Sequence, residues 1–271
     1  MNEADGQALL GGARGGDPEA VEALLRWIQP RVYRFGLRMC GDEEDAKDVL
    51  QDTLLAAARN LQGLRTDGSL STWLYTLTRN FCIKKRRRGK FEPSSPLALE
   101  AAAEVRDPAP LPDASAARNE VTAELERALR GLTPSQREVL LLRDVEGLTA
   151  PEVARVLGIG ERAVKSRLHR ARAALRSALE RPIPARANGC PDVEGLFSKD
   201  LEGDLSPSIC ASMERHLANC SRCRSACDGL KRTLRRCAEA PQPVVPDDLA
   251  QRVRQQVHAL ARRSPGALPT R

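Results

Sequence analysis

Six of the eight cysteines lie between Cys190 and Cys237, and their spacing suits a metal ion. His216, Cys220 and Cys223 place three nitrogen and sulfur donors within about two helical turns, because residues four apart share one helix face. A CxxC pair at a helix end can close around one ion. A tetrahedral site needs a fourth ligand from elsewhere. Cys190 lies 26 residues before His216, ahead of a helix and a turn (DLEGDLSP) that could fold it back.

Three further thiols, Cys210, Cys227 and Cys237, exceed the needs of one tetrahedral site. Two interpretations stay open: a second, labile metal site that senses excess ion, or a redox switch in which thiols pair and expel zinc. A Cys3His donor set suits Zn²⁺ or the softer Cd²⁺. The lack of a CxC pair favours these ions over copper ions. Unliganded structural thiols are disfavoured, because so small a unit has little other core.

Two basic segments are separated by an acidic one. Residues 79–90 hold seven cations and no acid, and residues 155–181 hold eight cations and two acids. Residues 91–120, between them, hold six acids and two bases. This pattern indicates two separate contacts with a polyanion.

Residues 148–179 have the pattern of a helix-turn-helix unit. A short apolar-faced helix is followed by a Gly-Ile-Gly turn at 158–160 and by a second helix with an apolar stripe. Early residues of the second helix would reach base edges, and later cations would lie along phosphates. The face opposite the stripe is predicted to present Arg162, Lys165, Ser166, Arg167, His169, Arg170 and Arg172.

Two segments resemble conserved regions of the extracytoplasmic-function (ECF) sigma factors of the sigma-70 class. Residues 128–180, with LTPSQREVLLLRDVEGLTAPEVARVLGIGERAVKSRLHRARAALR, resemble the fourth region. Residues 42–88, with DEEDAKDVLQDTLLAAARNL and SLSTWLYTLTRNFCIKKRRR, resemble the second. The resemblance implies that the second region binds the β′ clamp helices of RNA polymerase and opens the −10 element. It implies that the fourth binds the β flap and recognises the −35 element of promoter DNA.

The same resemblance assigns roles within the second region. The helix similar to the clamp-binding segment carries Asp48, Gln51, Asp52 and Leu55, while Lys47 stands where an acid is more usual. The loop 62–70 resembles the segment that captures a flipped −10 base. Contacts to the melted strand are expected from the cations and the amide of the following helix, whereas Trp73 is expected in the core. These residues are Arg79, Asn80, Lys84, Lys85, Arg86, Arg87 and Arg88.

Residues 190–235 resemble the zinc-binding anti-sigma domain, with the phrase LEGDLSPSICASMERHLANCSRCRSAC. On that family's pattern Cys190, His216, Cys220 and Cys223 are the ligands. A sigma body fused to a Cys-rich tail is similar to the CorE-like sigma factors, whose members respond to copper, cadmium or zinc. The resemblance therefore implies control by a metal ion in cis, without a separate anti-sigma factor.

Composition agrees with an all-α chain, because aromatics are only 3% while Ala, Leu and Arg are abundant. We predict two small helical domains, a region 2 bundle at 19–90 and a region 4 helix-turn-helix at 120–181, joined by a flexible linker at 91–119. A small helical metal-binding domain at 188–240 and a tail at 241–271 with one amphipathic helix follow. Cys40 and Cys82 are expected to be buried as small hydrophobic residues.

Several functional classes are disfavoured. No window approaches the roughly 18–20 apolar residues of a membrane span, and the acidic N-terminus is no secretory signal. A cytoplasmic protein with reduced thiols is therefore expected. The chain has no nucleophile elbow, phosphate-binding glycine loop or HExxH motif, so catalysis is not expected. The alternatives are a redox-regulated sigma factor and a helix-turn-helix regulator that binds duplex DNA as a dimer without polymerase.

Overall fold

A computed structural model describes residues 3–15, 17–60, 69–89, 114–180, 182 and 189–263. Within these ranges every regular element is helical, which confirms the all-α prediction. The helices are α1 (Glu3–Arg14), α2 (Pro18–Cys40), α3 (Glu43–Asn60), α4 (Leu70–Gly89), α5 (Ala114–Gly131), α6 (Pro134–Leu140), α7 (Ala150–Leu157), α8 (Glu161–Leu179), α9 (Val193–Asp200), α10 (Pro207–Asn219), α11 (Ser221–Glu239) and α12 (Asp247–Arg263).

Helices α1 to α4 form a first bundle. The carboxylate of Asp17 accepts a hydrogen bond from the Glu19 backbone N–H at 3.0 Å and so caps α2. Gly41 ends that helix in the left-handed region, at a φ of 77° that favours glycine. The sequence interpretation did not predict α1, whose Leu10 and Ala13 are buried in the core of this bundle.

Helices α5 to α8 form a second bundle with the helix-turn-helix at its end. Thr149 caps α7 through its side chain, and Gly158, at a φ of 65°, ends α7. A π-helical turn (Leu141–Val145) separates α6 from α7. Helix α5 already begins at Ala114, inside the range predicted as linker, and its Leu125 and Leu129 are buried in the bundle. The linker stretch 90–113 lies outside the described residues.

The two bundles pack against each other through one shared apolar cluster. Phe35 and Tyr75 of the first bundle belong to the same buried cluster as Leu141 and Leu142 of the second. At its edge, Glu146 accepts hydrogen bonds from Arg34 Nε at 2.7 Å and from the Tyr75 hydroxyl at 2.5 Å. Burial, reinforced by the charge of Glu146, raises the pKa of Tyr75 well above its usual value.

Helices α9 to α11 form a small C-terminal domain, and α12 leaves it to reach the first bundle. The domain has a short apolar core that includes Val193, Ala226 and Cys227. The buried face of α12 packs instead in the core of α1 to α4, through Val253 and Val257. Among the described residues no helix is long and apolar enough to cross a membrane.

Candidate metal centre and nucleic-acid interface

Four donors converge at one end of the C-terminal domain. The ligand atoms of Cys190, His216, Cys220 and Cys223 all lie within 4.8 Å of one another. Cys190 stands before α9, His216 is in the last turn of α10, and the CxxC pair spans the start of α11. Three separate segments thus meet at the site. The structure brings together all four residues that the sequence predicts as ligands.

The donor geometry fits a tetrahedral ion. The Sγ atoms of Cys190 and Cys220 are 4.0 Å apart, close to the roughly 3.8 Å between two thiolates that share a zinc at about 2.3 Å each. The Nε2 atom of His216 is buried and has no hydrogen-bond partner among the described residues. An unsatisfied buried nitrogen is costly, and coordination would satisfy it. The set suits Zn²⁺ or Cd²⁺.

The thiols of the CxxC pair differ in their affinity for protons. Burial and the adjacent thiols raise the pKa of Cys223 to about 11. The backbone N–H of Cys223 lowers the pKa of Cys220. A guanidinium nitrogen of Arg222 lies 3.6 Å from Cys223 Sγ and favours its thiolate. A bound dication would hold both groups as thiolates, since a coordinating thiol is deprotonated.

The remaining thiols of this segment lie outside the four-ligand group. Cys227 is buried in the core of the C-terminal domain, and Cys237 is buried in the cluster shared by the two bundles. Cys210 Sγ lies 3.7 Å from a carboxylate oxygen of Asp200. The structure does not bring these three thiols together, and their role in sensing stays a prediction.

Helix α8, which the sequence predicts to recognise DNA, has the predicted amphipathic face. Val164, Leu168, Ala171 and Leu175 are buried. Arg162, Ser166 and Arg170 are exposed, and Lys165, Arg167 and His169 are half-buried.

Acidic residues of the C-terminal domain lie against this face. Lys165 Nζ lies 2.6 Å from an oxygen of Asp204. His169 Nε2 lies 3.9 Å from an oxygen of Asp192. The domain therefore meets α8 on the side expected to contact DNA.

Arg172 was wrongly predicted on the exposed face of α8. It lies four residues after Leu168 and shares the buried side of the helix, where it is 2% exposed. Its guanidinium binds Asp144 at 2.6 and 2.9 Å, Ser198 Oγ at 2.9 Å and Glu202 at 3.0 Å. Buried carboxylates on two sides compensate the desolvation of this cation.

The strand-contact candidates of α4 are partly occupied by intramolecular partners. Arg79 Nε donates to Glu138 of α6 at 2.6 Å, and Lys85 forms an ion pair with Asp48 of the predicted clamp-binding helix. Asn80 and Lys84 are exposed, and Arg86 is half-buried. The side chains of Arg87 and Arg88, and residues 62–68 of the predicted base-capturing loop, lie outside the described residues.

Helix α12 lies along α3, the helix predicted to bind the β′ clamp. Gln51 Nε2 donates to Gln256 at 3.2 Å, and Gln29 Nε2 donates to the carbonyl of Ala250 at 3.2 Å. Asp52 remains exposed and Leu55 half-buried. Sequence reasoning missed this packing. The available signal was the apolar spacing of Leu249, Val253 and Val257, all buried here.

Comparison with known families matches three segments. Residues 24–92 match the family described as sigma-70 region 2, and residues 122–175 match sigma-70, region 4. Residues 190–224 match a zinc-finger family.

Several known proteins are similar to part of this chain. The ECF RNA polymerase sigma factor SigM of Mycobacterium tuberculosis (strain Erdman) is 34% identical over 174 residues, or 64% of this chain and 84% of SigM. SigW of Bacillus subtilis is 26% identical over 170 residues, or 60% of this chain and 91% of SigW. The solved structure of CnrH in complex with the cytosolic domain of CnrY is 28% identical and covers 65% of this chain and 97% of that one, with a TM-score of 0.48.

The chain belongs to the ECF sigma factors of RNA polymerase, which initiate transcription. It carries a zinc-finger-like segment after the two sigma regions. From here the first bundle is called region 2 and the second bundle region 4.

Proposed function

We propose that this sigma factor directs RNA polymerase core to promoters through regions 2 and 4, and that its own C-terminal domain, assembled around Zn²⁺, keeps both regions masked. The proposal depends on one observation: carboxylates of the C-terminal domain lie against basic side chains of α8, the predicted DNA-recognition helix. No separate anti-sigma factor is required for masking, because the masking domain is part of the chain.

The masking of α8 follows from the segment between two metal ligands. Asp192 and Asp204 lie between Cys190 and His216 in the sequence, and they meet His169 and Lys165 on the face of α8 expected to contact DNA. Glu202 of the same segment binds the buried Arg172 and so holds the segment against α8. Carboxylates thus stand where DNA phosphates are expected. A recognition helix needs the whole of a major groove about 12 Å wide, so it cannot enter DNA while α9 lies against it.

Two elements cover region 2: helix α12 and region 4. Helix α12 covers part of α3, and Arg79, a candidate for strand contact, is paired with Glu138. Polymerase core and melted DNA would have to displace these intramolecular partners. Asp48, Gln51, Asp52 and Leu55 are our candidates for the clamp contact once α12 leaves.

The metal is coupled to masking because its ligands hold the acidic segment in place. Cys190 fixes one end of that segment and His216 the other. An ion that binds Cys190, His216, Cys220 and Cys223 when they are close together therefore stabilises the masked arrangement. The reason is that a bound ion shifts an equilibrium toward the state that it binds better. Loss of zinc, or its replacement by copper ions with other geometric preferences, would release regions 2 and 4.

Run-off transcription with polymerase core tests the proposal. The zinc-loaded chain is compared with the chain treated with a chelator and then with Zn²⁺, Cd²⁺ or copper ions, and core binding is measured by pull-down in each state. We expect weak transcription with zinc and stronger transcription after its removal. A chain that binds no core at any metal level, yet binds duplex operators tightly, would be a stand-alone helix-turn-helix regulator instead.

A further inference from the structure

Two cysteines outside the metal centre face each other inside region 2. Cys40 is the last residue of α2, and Cys82 lies in the middle of α4. Their Sγ atoms are 3.3 Å apart, and both are free thiols. We propose that Cys40 and Cys82 are a redox-active pair, in which a hydroperoxide oxidises Cys40 and Cys82 then closes a disulfide. The proposal is independent of the metal-controlled masking, since neither thiol belongs to the C-terminal domain.

The geometry permits the bond. A disulfide has an S–S length of about 2.05 Å, so the two sulfurs must approach by roughly 1.3 Å. Cys82 is 0% exposed and held in the core. Cys40 is half-buried, at the end of a helix that Gly41 terminates. The adjustment therefore falls on Cys40, which is also the more exposed of the two residues.

The environment makes the two thiols unequal. The hydrogen bond between the two thiols is the largest cause of the lowered pKa of Cys40, and the charge of Arg86 adds to it. Burial and the carboxylates of Asp45 and Asp42 oppose this effect. The pKa of Cys82 is raised by the same hydrogen bond and by burial. Cys40 is therefore the more easily deprotonated of the two thiols and the better nucleophile, and Cys82 is the thiol that keeps its proton more strongly.

The chemistry balances in two steps. The Cys40 thiolate attacks one oxygen of hydrogen peroxide, the O–O bond breaks, and Cys40 sulfenic acid and hydroxide form. The Cys82 sulfur then attacks the sulfenic sulfur, its S–H proton and the departing hydroxyl leave as water, and the S–S bond forms. The released hydroxide takes the proton that Cys40 gave up. Two electrons pass from the two thiols to the peroxide, which ends as two waters.

The disulfide would close a covalent ring of the chain that contains α3. The two cysteines are 42 positions apart, and α3 lies between them in the sequence. It would join the end of α2 to α4, the helix that carries Arg79 and Asn80. Oxidation would thus restrain the helices expected to contact polymerase and the melted strand.

Peptide mapping of the full-length, zinc-loaded chain tests the proposal. After graded hydrogen peroxide, free thiols are alkylated and the chain is digested with trypsin without reductant. We expect residues 39–47 and 80–84 to appear as one cross-linked species that dithiothreitol separates, at doses that leave zinc bound. Recovery of both peptides alkylated at every dose would overturn the proposal, as would a cross-link of Cys40 to any other cysteine.

Cysteine variants test which thiol is oxidised first and which one then closes the disulfide. In Cys82→Ala the sulfenic acid on Cys40 has no partner, so labelling of Cys40 by dimedone should increase at least several-fold over the parent. In Cys40→Ala residue 82 should stay reduced, and Cys210→Ser should cross-link like the parent. Equal dimedone labelling of Cys40 in the parent and in Cys82→Ala contradicts the mechanism. The peptide map of the parent decides the question even if the Cys82→Ala chain does not fold.

Discussion

The guanidinium of Arg172 lies 3.0 Å from the carboxylate of Glu202 and joins α8 to the C-terminal domain. The two side chains are only 2% and 4% exposed. Glu202 also accepts a hydrogen bond from Arg143 Nε at 3.0 Å, so one carboxylate connects two cations of region 4. This shared carboxylate is the most deeply buried charge contact between the domain and region 4 among the pairs described here.

Glu202→Gln should weaken the masked state. The amide keeps the size of the side chain but removes the charge that Arg143 and Arg172 share, at a cost of about 1–3 kcal/mol. Since about 1.4 kcal/mol corresponds to tenfold, binding of the zinc-loaded chain to −35 duplex DNA should increase about tenfold. Fluorescence anisotropy at fixed salt measures it. Asp228→Asn, which removes an exposed carboxylate of α11, is the control. Equal affinities of both variants and the parent would contradict this role.

Val253→Asp should release α12 from region 2. Val253 is 0% exposed between α12 and the first bundle, and burying an unpaired carboxylate there costs several kcal/mol. We expect the affinity for polymerase core to increase by at least about tenfold, measured by pull-down titration. Gln255→Asp adds the same charge on the exposed side of α12 and should leave core binding as in the parent. A similar gain in both variants would refute masking by this helix.

Metal analysis should separate the four proposed ligands from the other thiols. Cys223→Ser replaces a buried donor of the cluster, and zinc content should fall from about one ion per chain to a small fraction of that. Helicity of the C-terminal domain should fall with it, because a small domain depends on its ion to fold. Cys210→Ser lies outside the cluster and should keep its zinc. Full zinc content in Cys223→Ser would show that the cluster is not the metal site.

Cys237 should make stability depend on alkaline pH. Burial, reinforced by Asp144, raises its pKa in the folded chain to about 12, whereas the unfolded thiol titrates near about 8.5. The folded state therefore binds more protons above about pH 8.5, and its stability is lost progressively as the pH rises toward 12.

Thermal unfolding between about pH 8 and about pH 10 tests this difference. Cys237→Ala should lose less of its free energy of unfolding over that interval than the parent does. The raised pKa of Tyr75 acts in both proteins alike, so the difference between them isolates Cys237. Parallel pH profiles would be the contrary result.

Local patterns predicted several helices and three of the four residues of the metal cluster, whereas Cys190, 26 positions before His216, was assigned from the resemblance to the zinc-binding anti-sigma domain. Helices α2 to α4, α7 and α8 were predicted from periodic apolar residues and from capping residues such as Thr149. Within each helix these residues are only a few positions apart in the sequence. The CxxC spacing and His216 likewise lie within one helical hairpin. Local spacing was sufficient there because neighbours in sequence are neighbours in space.

Contacts between distant segments could not be predicted in the same way. Gln51 meets Gln256, 205 positions away, and Cys40 meets Cys82. Helix periodicity tells which face is apolar but not which partner covers it. Arg172 is an intermediate case: its place four residues after Leu168 indicated the buried side, but its carboxylate partners lie in other elements.

The C-terminal domain follows α8 in the same polypeptide, with Cys190 eleven positions after Leu179. A short tether holds its two ends at an effective concentration of about millimolar. If the domain masks regions 2 and 4 as we propose, dilution does not dissociate it, and a cell that makes more of the protein makes both parts in a fixed one-to-one ratio. Under this proposal the ion affinity of the thiols and the strength of the intramolecular contacts set the metal concentration at which the regions are released, and gene dosage does not change it.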